Sequence, residues 1–178
     1  MNKKDIIAVL ALALCTVLCI VCASALRRDK KTENDPAQED FSFALTWGCY
    51  GISSYDSATG KLVKTTDATH PEDYVTEYRL TEAERQQIQR LIRELDLDGY
   101  PSRYDPNPDV SSEPSMTLIL TARTAEGEKT VRAENIAMMT DATDARGRKF
   151  LDACRAIEEL LYATDAWQAL PEYEYFYE

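Results

Sequence analysis

The chain has 178 residues, of which 31 are acidic and 20 are basic, so its formal charge at pH 7 is −11. This excess of carboxylates argues against nucleic acid as a partner, because a polyanion is bound by surfaces rich in lysine and arginine. A single histidine excludes a metal site built from several histidines, and we expect no resident metal or other cofactor.

An uncharged apolar segment runs from Ile6 to Leu26, with only Thr16 and Ser24 as polar residues. A helix of this length rises about 31 Å, at roughly 1.5 Å per residue, which matches the hydrocarbon core of a bilayer. Residues 6–26 are therefore predicted to place the chain in the cell membrane or to direct its export.

Two interpretations of residues 1–26 remain open. The basic Lys3 and Lys4, followed by an apolar run and then Ala23-Ser24-Ala25, are typical of a cleaved signal peptide. The length of the apolar run also suits an uncleaved signal anchor. The basic N-terminus and Ala23-Ser24-Ala25 favour export, which would place the following domain outside the cytoplasm. The basic cluster directly after Leu26 opposes translocation and leaves a cytosol-facing anchored domain as an alternative.

Residues 27–40 are charged or small and polar, lack apolar periodicity, and are predicted to form a disordered tether. Residues 41–178 follow as a single acidic domain, long enough to bury one hydrophobic core. The sequence shows no internal repeat and no second linker.

The domain begins with residues that alternate between apolar and small side chains from Phe41 to Cys49, which predicts a half-buried strand. Turn residues Asp56–Gly60 separate it from a second strand at Lys61–Thr65, and a short third strand is predicted over Tyr74–Arg79. These three strands have hairpin-length connections, which predicts antiparallel pairing.

A helix is predicted to begin at the capping box formed by Thr81 and Glu84, and to end at Asp98-Gly99 with Gly99 in the left-handed conformation. A second hairpin is predicted from the alternation at Met116–Ala122 and its return at Lys129–Ala133, and a second amphipathic helix from Ala145 to Tyr162.

The order strands, helix, strands, helix predicts an α+β fold. We expect an antiparallel sheet with two helices packed on one face, after the N-terminal hydrophobic helix.

Several of these segments carry a resemblance in layout. They are Trp47-Gly48-Cys49-Tyr50-Gly51, the turn at Asp56–Gly60, the helix start at Leu80-Thr81, and Tyr100-Pro101. In this layout the chain resembles small exported or membrane-anchored proteins of unknown function from Gram-positive bacteria. The resemblance implies an envelope location and a single domain, and it implies no active site.

Outside the leader the chain has two cysteines, Cys49 on the first strand and Cys154 on the second helix, and both are predicted to face the core. A disulfide between them is possible if the domain is exported and the helix crosses that strand, and two reduced thiols are the alternative.

The best candidate for a binding site is the end of the first helix and the proline-rich loop after it. Carboxylates at Asp96, Asp98, Asp105 and Asp109 are hard oxygen ligands that suit Ca²⁺, although the spacing is not that of an EF-hand. Tyr100 and Tyr104 lie between them and suggest a recognition surface for a protein partner. Ordinary helix-end and turn roles for these aspartates are the alternative.

No catalytic motif is recognisable, so the sequence favours a non-enzymatic binding or interaction domain, envelope-tethered or secreted. A hydrolase with an unrecognised carboxylate site around Asp105 and Asp109 is the alternative.

Overall fold

A computed structural model of the chain describes residues 41–49, 52–65, 73–108, 115–136 and 144–172, which belong to one compact unit. The predicted membrane segment Ile6–Leu26 and the tether 27–40 lie outside these residues. Within the described ranges, no helix is both long and apolar enough to cross a membrane.

Seven strands form one sheet. In chain order they are β1 (Ser42–Gly48), β2 (Ser53–Asp56), β3 (Lys61–Thr65), β4 (Asp73–Glu77), β5 (Arg103–Tyr104), β6 (Met116–Thr124) and β7 (Gly127–Ile136). Across the sheet they are arranged β4-β3-β2-β1-β6-β7-β5. Every pairing is antiparallel except the short one between β5 and β7. The predicted α+β class and the mainly antiparallel sheet are confirmed.

The described part of the chain has two long helices. Helix α1 (Glu82–Leu95) lies between β4 and β5 in the chain, and α2 (Ala145–Tyr162) follows β7. A single-turn helix, α3 (Asp165–Gln168), comes after α2. The predicted capping box of α1 is present, with the backbone and side chain of Thr81 and Glu84 bonded reciprocally.

The predicted end of α1 is wrong by one turn. The helix stops at Leu95, where Asp96 takes the left-handed conformation with φ 54°. Residues Leu97–Gly99 then form a 3₁₀ turn. Aspartate tolerates the left-handed region better than most side chains, so the reversal does not need Gly99.

The core contains the inward-facing side chains of β1, at Phe43, Leu45 and Trp47, as the alternation predicts. Ile88 of α1 and Phe150 of α2 belong to the same cluster of buried side chains. The neighbouring positions on β1 are only half-buried. Burial of alternate residues thus fixes the register of the central strands, because a slip by one residue would expose this whole set.

Candidate functional site

The predicted cation site is not assembled by the residues that the structure describes. Asp96 and Asp98 are exposed at the end of α1. The Asp105 side chain accepts a hydrogen bond from the backbone N–H of Asn107 at 2.7 Å, and so stabilises a turn. Asp109 lies outside the described residues. Among those described, no group of three His, Cys, Asp or Glu side chains is placed to hold a metal ion, and calcium binding stays a prediction.

The turn at Asp105 does contain one buried polar side chain. Asn107 is completely buried, and its backbone oxygen accepts a hydrogen bond from the side chain of Asn135 at 2.7 Å. Within the described part of the chain, neither amide atom of the Asn107 side chain has a hydrogen-bond partner.

Tyr100 and Tyr104 are buried in the core, which corrects their interpretation as a recognition surface. Their rings meet edge to face at 5.1 Å, and both pack against Phe150 of α2. The guanidinium of Arg146 lies 4.2 Å from the ring centroid of Tyr100 and covers it from outside. Burial raises the pKa of both phenols. The two rings therefore fasten the loop after α1 to the start of α2.

The hydroxyl groups of these tyrosines are also engaged within the domain. Tyr100 donates to the backbone oxygen of Arg146 at 3.1 Å, and Tyr104 donates to the Asp144 carboxylate at 3.5 Å. Asp144 in turn caps α2 by accepting from the N–H of Gly147. These contacts fix the polar tips of both tyrosines inside the domain.

Both predicted disulfide partners are free thiols in the structure. Cys49 lies half-buried just beyond the end of β1, whereas Cys154 on α2 is completely buried. Burial raises the pKa of the Cys154 thiol well above its ordinary value, so this group stays protonated and unreactive. The disulfide that the sequence allows is not formed here, and the alternative of two reduced thiols describes this structure.

An aromatic cluster at one end of the core was not predicted. Trp47 of β1, Tyr162 of α2 and Trp167 of α3 pack with ring centroids 4.8 to 6.0 Å apart. The amine of Lys64 on β3 lies 4.9 Å from the ring centroid of Trp167, in a cation–π contact. Lys64 is only 5% exposed, and burial lowers its pKa. The cluster thus ties the single-turn helix α3 to the sheet.

A second unpredicted feature is the position of β4 at one end of the sheet among the described strands. This strand is terminal in the strand order, and among the described strands its one neighbour is β3. Val75 at its centre is 56% exposed and is paired across the ladder with Val63. A terminal strand presents backbone N–H and C=O groups with which a strand of another chain can pair.

A groove of about 420 Å³ lies near the end of this strand. Its walls combine apolar, hydroxyl and guanidinium groups, from Phe41, Ser42, Ser57, Ala58, Arg79, Leu80 and Arg85. The guanidinium groups of Arg79 and Arg85 are each paired with a nearby glutamate, so they act within the domain.

The chain matches no model of a known protein family and no curated protein.

Proposed function

We propose that the protein is a non-enzymatic binding domain at the cell envelope, tethered through residues 6–26 or secreted after their removal. In this proposal it engages a protein partner through the β4 strand and its outer edge. The observation that carries the proposal is Val75, a large apolar side chain 56% exposed in the middle of a terminal strand. The apolar segment Ile6–Leu26 and the resemblance in layout to small exported proteins support the location.

We further propose that α1 and α2 both cover one face of the sheet. The support is that Ile88 of α1 and Phe150 of α2 share a buried cluster with the inward residues of β1. In this proposal neither helix covers the β4 edge, so a partner strand meets backbone groups there without displacing a helix.

The test is photocrosslinking in living cells with a benzophenone amino acid placed at position 75 of the full chain. Matched controls carry the same group at Ala58, exposed in the groove, and at Glu128, exposed on the β6–β7 hairpin. We expect a crosslinked protein of one defined mass at position 75 and none at the two controls. Equal crosslinking at all three positions, or none at position 75, contradicts the proposal.

The location is tested separately by adding protease to intact cells. Digestion of the domain from outside supports the extracytoplasmic placement, and a chain that starts after the leader in the medium identifies the secreted form. Complete protection until lysis supports the alternative of a cytosol-facing anchored domain. The hydrolase alternative stays a prediction, because Asp105 acts in a turn and Asp109 lies outside the described residues.

A further inference from the structure

We infer that β4 accepts a basic, extended segment of a partner protein as an eighth strand of the sheet. This inference rests on the proposed function and names the chemistry of the partner. It combines the direction of the backbone groups of β4, the exposure of its central side chain, and the charges along the strand.

The backbone N–H and C=O groups of alternate residues on β4 point away from the sheet. In the antiparallel ladder with β3, the N–H of Tyr78 donates to the oxygen of Gly60 at 2.8 Å, so residues 60 and 78 form a hydrogen-bonded pair. Hydrogen-bonded pairs recur every second residue, which directs the backbone groups of Tyr74 and Thr76 toward β3. The N–H and C=O of Val75 and Glu77 are therefore directed outward, in the spacing that an added strand needs.

The side chains of β4 allow a partner strand to approach its backbone closely. Val75 is β-branched, favours extended backbone, and offers exposed methyl groups to a residue placed opposite it. A strand of five residues, as β4 is, spans about 17 Å. It therefore pairs with a segment of about five to seven residues, and main-chain hydrogen bonds supply much of the affinity in such complexes.

The charges of β4 favour a basic segment. Glu77 is 68% exposed at one end of the strand, and Asp73 is the first residue at the other end. Glu77 is paired with Arg79, but the arginine side chain is itself 61% exposed, so the pair is weak and exchanges readily with a partner's lysine. The net charge of −11 attracts a basic partner over longer distances.

The same charges disfavour a second copy of this chain as the occupant. Antiparallel pairing of β4 with itself, centred on Val75, places residue 73 opposite residue 77, and both are acidic. Like charges directly across a ladder are destabilising, and charged residues commonly protect terminal strands against self-association.

The test measures fluorescence anisotropy of labelled heptapeptides with the purified full chain in detergent. One peptide alternates lysine with valine, and a second alternates glutamate with valine. A third repeats the lysine peptide with N-methyl groups on every second backbone nitrogen, which removes the donors that face β4 and leaves the charge unchanged. We expect the lysine peptide to bind at least tenfold more tightly than either of the other two.

Variants of the strand separate backbone pairing from simple charge attraction. Val75→Pro removes an outward donor that β3 does not use, and we expect at least a tenfold loss of binding. The matched control Val75→Thr keeps the donor and a β-branched side chain, and we expect a change below about threefold. Glu77→Lys tests the charge without introducing a proline. It should weaken binding of the lysine peptide and strengthen binding of the glutamate peptide.

Equal binding of the N-methylated peptide, or no effect of either Val75→Pro or Glu77→Lys, overturns the inference. A dimer in sedimentation that Val75→Pro converts to a monomer overturns it in favour of a second copy. If none of the peptides binds while crosslinking at position 75 persists in cells, strand addition is wrong, but the proposed binding surface at β4 is supported. If crosslinking also fails, the proposed function is wrong as well.

Discussion

The phenolic oxygen of Tyr78 lies 2.9 Å from both carboxylate oxygens of Glu84 and donates its hydroxyl hydrogen to that carboxylate. The same carboxylate accepts from the backbone N–H of Thr81 and from its hydroxyl, each at 2.7 Å. A single side chain thus completes the cap of α1 and holds the residue that follows β4. The terminal strand and the first turn of α1 are positioned together by this contact.

Replacing Glu84 with glutamine should lower the free energy of unfolding by about 1–2 kcal/mol, because the amide loses the charge and one acceptor of the capping box. Urea unfolding followed by circular dichroism measures this loss. The matched control is Glu82→Gln in the same turn, where the carboxylate pairs with Arg85 at the surface, and we expect a change within about 0.5 kcal/mol. Equal losses for the two variants contradict the role assigned to Glu84.

The contribution of Glu84 should also depend on pH in a defined direction. Burial alone would raise the pKa of Glu84, but hydrogen bonds from Thr81 and Tyr78 outweigh it and lower the pKa below 4.5. A depressed carboxyl pKa stabilises the folded state above the unfolded value, and this stabilisation disappears as the pH falls through the folded value. The difference in stability between the natural chain and Glu84→Gln should therefore shrink between pH 6 and pH 3. A difference in stability that stays constant over this pH range contradicts the assigned role of the Glu84 carboxylate.

The features that follow from local spacing were predictable from the sequence. The alternation at Phe43, Leu45 and Trp47 and the capping box at Thr81 require only neighbouring residues, and both are present. The burial of Lys64 is different, because its aromatic partner Trp167 comes from a helix about a hundred residues later in the chain. Its position on the core face is visible only once the strand register and the packing of α3 are known.

The candidate site was less predictable, because it also depends on contacts between residues that are distant in the chain. Tyr100 and Tyr104 lie among prolines in the sequence, which suggested an exposed loop, yet Phe150 and Arg146 enclose them from a distant helix. The exposed edge at β4 depends on the order of strands across the sheet. That order follows from long-range pairing, and the amino-acid pattern of β4 does not reveal it.

The carboxyl group of Glu158 on α2 should destabilise the domain as the pH rises toward neutrality. Burial raises the pKa of Glu158 to about 7, from an ordinary value of 4.5. A raised carboxyl pKa means that the folded state holds a proton that the unfolded state has lost, so stability falls between pH 4.5 and about pH 7. Glu158→Gln should remove this fall and stabilise the domain at pH 8 by on the order of 1 kcal/mol, since the half-buried carboxylate is partly screened.

Unfolding midpoints in urea at pH 5 and pH 8 measure this effect. The neighbouring Glu159 is exposed on the same helix, and Glu159→Gln provides the matched control with no expected change in the pH dependence. If the Glu158 variant keeps the pH dependence of the natural chain, Glu158 is not the titrating group.

Removing Trp167 should destabilise the domain strongly, because its ring packs against both Trp47 and Tyr162 and lies under Lys64. Trp167→Ala leaves a large cavity and should cost about 3–5 kcal/mol of unfolding free energy, whereas Trp167→Phe should cost less than half of that. The chain has only two tryptophans, so fluorescence of Trp47 in the Trp167→Ala variant reports directly on this end of the core. A loss below about 1 kcal/mol contradicts the role of α3 as a packed part of the domain.

The two thiols of the domain should differ sharply in reactivity. Cys154 is completely buried and its raised pKa keeps it protonated, whereas Cys49 is half-buried beyond the end of β1. Iodoacetamide applied to the folded full chain, followed by peptide mapping, should modify Cys49 and leave Cys154 unmodified until urea is added. Cys49→Ser is the control that removes the modification mapped to position 49. Protection of both thiols without reductant, reversed by a reducing agent, would instead identify the disulfide that the sequence allows and would mark the domain as exported.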